Sequence, residues 1–174
     1  NGCPVGAVFF DGQIHFSCKP MSGKERTMLL LTHLDKLPAQ RVQGSVLGNA
    51  LIGAGKILRK RSLVFVISDF RTAGWETPLI KLAQKNDLVA IRLTDDFDRM
   101  LPSLGSVTFK DMESDLKMVL PTSSARFREE WKNRNESMVW RWKENCLKHG
   151  ILSYVMNVTD DPLALLTQVF GAKK

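Results

Sequence analysis

The sequence predicts an α/β fold, an open and mostly parallel sheet of Rossmann-like kind flanked by helices. Three stretches carry that expectation. Residues 63–67 read LVFVI, uncharged and rich in β-branched side chains, which suits the centre of a parallel sheet. Residues 88–93 (LVAIRL) read as a second strand, and the helix-like 76–85 lies between the two. Strand, helix and strand in that order make a parallel pair with a right-handed crossover. Third, residues 4–10 (PVGAVFF) form a continuous apolar run, as expected of a strand buried on both faces. The 174 residues fit one domain, which can bury roughly 70% of the unfolded chain's surface.

The elements follow in order. After 4–10, Asp11-Gly12 is a hairpin turn pair, and 13–18 returns as an antiparallel edge strand. If Phe10 faces Gln13, Val5 faces Cys18. Ser22 with Glu25 predicts a capping box for a helix to about Leu37, stopped by Pro38. Met28, Leu31 and Leu34 or Asp35 fall at helical spacing. Residues 39–44 form a polar loop. Ser45 predicts the N-cap of a helix over about 46–60, small on one side at Gly48, Ala50, Gly53, Ala54 and Gly55. Its end, Arg59-Lys60-Arg61, complements the helix dipole. Ser68-Asp69-Phe70 closes the strand at 63–67. Beyond 88–93, Leu101-Pro102 and Gly105 mark a loop, and 106–110 with 116–120 form a small β-hairpin insertion. Ser123 or Ser124 caps a long helix to about His149, ended by Gly150, with a stripe of Phe127, Trp131, Met138, Trp142 and Cys146. A last strand covers 152–158, and Asp161-Pro162 opens a helix at 163–170.

Composition narrows the function classes. The hydrophobic share is 44% and the charged share 25%, ordinary for a globular domain. No apolar run approaches the roughly 20 residues that span a bilayer. Cys3, Cys18 and Cys146 are odd in number and lack CxxC spacing, which argues for a reducing, cytoplasmic setting and against zinc or a disulfide framework. His15, His33 and His149 are far apart. The net charge of +7 admits an acidic partner, although a simply basic surface is the first expectation. A chain opening on Asn1 that enters a strand within a few residues is expected to be a fragment. An upstream membrane anchor is left open.

Three stretches together resemble a known family. They are GxxxxxAL (Gly44 to Leu51) leading through the basic run to LVFVISDF, the segment AIRLTDDFDRMLPSLGSVTFKDMES, and the long basic helix followed by a strand and Asp161-Pro162. They resemble the bacterial von Willebrand factor A-like proteins of domain-of-unknown-function family 58. The most specific match is the acidic pattern of Asp95 and Asp98 before Leu101-Pro102, then Gly105, Asp111 and Glu113. Asp96 departs from the family's Pro, and Asp98 from its Glu. The resemblance implies a metal-ion-dependent adhesion site for Mg²⁺ or Mn²⁺, with Ser45 and Asp69 matching two of its three elements. It also implies a protein partner, a MoxR-type AAA+ ATPase, and a role in assembly or maturation. The first element, DxSxS, is absent, so the first central strand is expected to be missing. Mg²⁺ takes about six oxygen ligands in near-octahedral geometry. One Asp and one Ser fall short, and this chain is expected to bind little metal.

Each candidate has a plain structural alternative. Asp69 is either a turn residue or a contact at the carboxyl end of a parallel sheet, where ligands of α/β proteins bind. Ser45 is a cap, a ligand or both. Asp95, Asp98, Asp111 and Glu113 are read as caps and turn contacts that pin the hairpin, ahead of acid–base chemistry. Helix 124–149 carries more cations than acids, with Trp140 off its apolar stripe. Arg126, Arg134, Trp140 and Arg141 are therefore candidates for partner binding. The leading expectation is a non-enzymatic protein-interaction module. Nucleic-acid binding through helix 124–149 is the alternative.

Overall fold

The computed structural model of the protein describes residues 2–36, 44–110 and 117–171. The fold class is the predicted one, a mixed α/β protein with an open parallel sheet flanked by helices and accompanied by antiparallel strand pairs. The described residues form two compact units. One takes in those of Asn1–Ser62 and Phe70–Asn86; the other takes in those of Leu63–Asp69, Asp87–Asp111 and Asp115–Lys174.

The first unit begins with β1 (Val5–Phe10) and β2 (Ile14–Met21), paired antiparallel. These two strands form a sheet of their own, where the sequence had suggested an antiparallel edge on a larger one. The strand β1 is not buried on both faces; its residues are half-buried or exposed. The register also differs from expectation, since Phe10 faces Ile14 and Ala7 faces Cys18. A two-residue turn does not form, because Gln13 N donates to the Asp11 carboxylate at 3.0 Å and Asp11 N to Gln13 O at 3.0 Å. That three-residue loop shifts every later pair, and register irregularities lie at both ends of the ladder.

Helix α1 (Lys24–Asp35) starts after Gly23, with no side-chain cap. The expected Ser22–Glu25 capping box is absent because the Ser22 hydroxyl donates instead to Gly2 O at 2.8 Å. Its expected apolar stripe is exposed at Met28, Leu31 and Leu34, while Leu30 is buried. Pro38 lies outside the described residues. Helix α2 (Leu47–Ile57) packs against α3 (Glu76–Ala83). Leu47, Ala50 and Leu51 from one and Leu79 and Leu82 from the other are buried. The approach is close at Gly48, where an added Cβ would sit 2.8 Å from Gly74 O. Only glycine fits there.

The second unit is built on β3 (Leu63–Ser68), β4 (Asp87–Thr94) and β7 (Leu152–Asn157), all parallel and in the order β3-β4-β7. The sequence pointed to 63–67 as the central strand, but β4 holds that place and is buried along most of its length. The strand β3 alternates, with Leu63, Phe65 and Ile67 exposed, because among the described residues it pairs only with β4. Val89 and Ile91 pack with Val169 of α6 (Pro162–Gly171), and Leu93, Tyr154, Met156 and Leu165 border them. Asp161 caps α6, accepting from Leu163 N at 2.9 Å.

The hairpin is β5 (Ser106–Lys110) with β6 (Lys117–Pro121). Its base is closed by buried Thr122, whose hydroxyl donates to Gly105 O at 2.7 Å and accepts from Leu104 N at 3.1 Å. Helix α5 (Ala125–Lys148) starts at Ser124, which accepts from Phe127 N at 3.3 Å. It ends as predicted at Gly150, whose φ of 67° suits a residue without Cβ. Gly150 N donates to Leu147 O and Ile151 N to Cys146 O, the paired bonds of a Schellman stop. Of the expected stripe, Trp142 and Cys146 are buried, Phe127 and Trp131 half-buried and Met138 exposed.

Two outcomes follow. Gly48→Ala forces the α2–Gly74 contact apart and destabilises the protein by about 1–3 kcal/mol in urea melts. Gly53→Ala, with nothing within 4 Å of the added Cβ, stabilises it by about 0.5–1 kcal/mol. Burial pushes the Cys146 thiol up to about 11 from 9.0. The unfolded thiol ionises first, so this group leaves stability unchanged below pH 9 and lowers it as pH rises from 9 to 11. A Cys146→Ala variant should lose that slope in melts across the alkaline range. In native protein at neutral pH, Ellman's reagent should label exposed Cys3 and spare Cys146.

Candidate functional site at the carboxyl edge of the parallel sheet

Parallel pairing brings the carboxyl ends of β3, β4 and β7 to one edge. Ser68 is level with Arg92, and Thr94 with Asn157. Asp69, half-buried, follows directly on β3. Phe70 comes next with φ of 52°, the one non-glycine residue at positive φ among those described. A bulky side chain in that region is costly and has to be held by its surroundings. Phe70 is held by burial, edge-on to Trp75 with ring centroids 5.1 Å apart.

At the end of β4, Asp95 caps the single-turn helix α4 (Asp96–Arg99). Its carboxylate accepts from Asp98 N at 3.0 Å, and Asp98 accepts in return from Asp95 N at 3.3 Å. These two acids are therefore caps, as the structural reading expected. They do not close the hairpin, a task done by Thr122. Asp96 accepts from Asn157 Nδ2 at 2.7 Å. Asn157, buried at the end of β7, also accepts from Thr159 N at 3.0 Å and Thr159 Oγ1 at 2.9 Å. Asp160 accepts from Asn157 N at 2.8 Å. Beneath the edge, buried Arg92 lies over the Trp142 ring at 5.9 Å.

Ser45 is half-buried in the first unit and Asp69 belongs to the second. Ser45 does not cap α2; the N-cap is Val46, whose N–H donates to Asp11 O at 2.9 Å. Asp111 and Glu113 lie outside the described residues. On α5, Arg126 pairs with Glu130 at 2.8 Å, and this bond and charge hold the guanidinium above its ordinary pKa. Arg134 and Arg141 are exposed, and Trp140 is 64% exposed. Among the described residues, no three His, Cys, Asp or Glu side chains gather to hold a metal ion.

Two features escaped sequence reasoning. Nothing in SDF announces that Phe70 turns left-handed. Asn157 had a faint signal, an Asn at the end of an apolar strand followed by Thr and Asp, which suits an Asx turn.

The model of the family described as "Protein of unknown function DUF58" matches residues 1–138. The chain belongs to that family. A curated relative, "Uncharacterized protein Rv1480" of Mycobacterium tuberculosis, is 26% identical over 118 residues, 66% of this chain. The match covers 37% of that relative's length, so the chain spans well under half of it. A second, "Uncharacterized protein MAV169" of Mycobacterium avium, is 35% identical over 57 residues, 32% of this chain and 34% of the relative. Among solved structures, the conserved hypothetical protein BatB from Bacteroides thetaiotaomicron aligns with TM-score 0.54 and 14% identity over 97% of this chain and 78% of that one. An aerotolerance-related membrane protein from Bacteroides fragilis, carrying multiple mutations to serine, aligns at 0.56 and 15% over 98% and 78%. Those likenesses show a shared fold and no more. In this chain, no described helix is long and apolar enough to cross a membrane.

Asn157→Ala removes a buried side chain that holds Asp96 and Thr159. It should cost about 1–3 kcal/mol in chemical denaturation. Asp160→Asn, which keeps an acceptor for Asn157 N, should cost less than half as much.

Proposed function

We propose that this chain is a non-enzymatic protein-interaction module that works from the carboxyl edge of its parallel sheet, with Asp69 as the contact residue. The observation that carries the reading is the strained turn at Phe70. A left-handed phenylalanine costs on the order of 1–3 kcal/mol, and such outliers cluster at functional sites. It fixes the backbone beside Asp69 at the sheet edge where α/β proteins bind their ligands. The neighbouring acids support a binding role over catalysis. Asp95, Asp98, Asp96 and Asp160 all accept hydrogen bonds within the fold, which suits a preorganised rim better than proton transfer.

A von Willebrand factor A-like module would engage its partner through Mg²⁺ or Mn²⁺. With the donors described here, the contact is read as direct, from the Asp69 carboxylate to a cation or N–H group of the partner. The resemblance names a MoxR-type AAA+ ATPase as that partner. Nucleic-acid binding along α5 draws less support. Arg126, Lys132 and Lys148 each pair with a glutamate one turn away, at 2.8, 3.8 and 3.1 Å.

Surface plasmon resonance against an immobilised MoxR-type ATPase tests this. The chain should bind, and Asp69→Ala, verified as folded by circular dichroism, should weaken binding by about ten-fold or more. Equal affinity of variant and parent would remove Asp69 from the interface. Binding that appears only with added Mg²⁺ would restore the metal-mediated reading.

A further inference from the structure

We propose that a basic cleft in the first unit is a second docking site, separate in chemistry from the Asp69 edge, and that it takes an acidic peptide segment of a partner protein. The cleft has a volume of about 640 Å³ and is built from α2, the turn after it and the end of α3. That size lies inside the roughly 300–1,000 Å³ of ordinary binding pockets.

Its rim carries Arg59, Lys60, Arg61, Lys81 and Lys85, and no acidic residue lines it. Arg59, Lys60, Lys81 and Lys85 form no ion pair among the described residues. Four like charges without an ion pair around one concavity repel each other, and low-dielectric walls concentrate their field on whatever enters. The floor is apolar, with Ile52, Leu58 and Leu82 among its residues, and Ile52 is 48% exposed. Gly55 contributes no side chain, which leaves the middle of the cleft open.

The walls are held in place. Buried Asn86 accepts from Ser62 N at 3.1 Å and donates to Leu82 O at 3.0 Å, tying the turn after α2 to α3. The cleft therefore exists before any ligand arrives, and little ordering is needed on binding.

An apolar floor inside a cationic rim matches a segment that sets carboxylates beside aliphatic side chains. Free phosphate would satisfy the rim and leave the floor wet. Single-stranded nucleic acid would need faces for its bases, and no aromatic side chain lines the cleft. The acidic peptide is the occupant that uses both features.

Fluorescence anisotropy with a labelled synthetic peptide, in which glutamates flank leucines, tests the proposal. The peptide should bind at least about ten-fold tighter than its glutamine counterpart and weaken as salt rises. Lys81→Gln with Lys85→Gln should weaken binding about ten-fold, since both side chains are exposed and off the packed face. Gly55→Met, which fills the cleft without removing charge, should weaken it as well. At Gly55 an added Cβ meets only Leu82 Cδ1, at 3.7 Å, so that helix should tolerate the change, as circular dichroism would verify. Equal binding of the glutamine peptide overturns the proposal. So does unchanged binding by both folded variants, or tighter binding of a single-stranded oligonucleotide of equal charge.

Discussion

The parallel pairing of β4 with a strand on each side is the constraint from which the second unit follows. Six residue pairs join it to β3 and six to β7. A strand flanked on both sides and covered on both faces must be apolar almost throughout, and Leu88 to Ile91 are. Arg92 is the exception. Its guanidinium is retained in that interior over the Trp142 face. Because the strands run the same way, their last residues meet at one edge. Asp69, Asp95, Asp96 and Asn157 share that edge for a topological reason before they do so for any functional one.

The first unit rests on close backbone approach. Gly48 allows α2 to reach Gly74 O, and Asn86 ties the turn after α2 to α3. The two candidate surfaces thus differ in kind. At the strand ends, acids are engaged in caps and turns. In the cleft, cations gather over apolar side chains with no acid among them. The first is a geometry imposed by parallel strands, the second a charge pattern imposed on two packed helices.

Much of this was legible in the residues. The strand–helix–strand order, the helix opened by Ser124 and closed by Gly150, the start at Asp161-Pro162 and the capping role of Asp95 all rest on local chemistry, and each appears. The caps at Ser22 and Ser45 did not, although the residue types were right. Ser22 found a backbone acceptor twenty residues away at Gly2, and α2 began at Leu47, with Val46 in place of Ser45 as its N-cap, once Val46 N had bonded to Asp11 O. Local rules rank the options available to a hydroxyl, and a distant partner can outbid them. The hairpin register failed similarly, since the Asp11 carboxylate, by accepting from Gln13 N, made a three-residue loop where Asp11-Gly12 suggested two.

By itself, then, the sequence determined the class of fold, the order of elements and the residues able to cap or turn them, because those depend on periodicity and on bonds spanning a few residues. Which strand is central, which helix face is exposed, that Phe70 is forced left-handed and that five cations encircle one cleft were decided only in the tertiary structure. Each depends on what lies opposite in space. LVFVI and LVAIRL look alike as strings, and only pairing on a second side separates the interior strand from its neighbour.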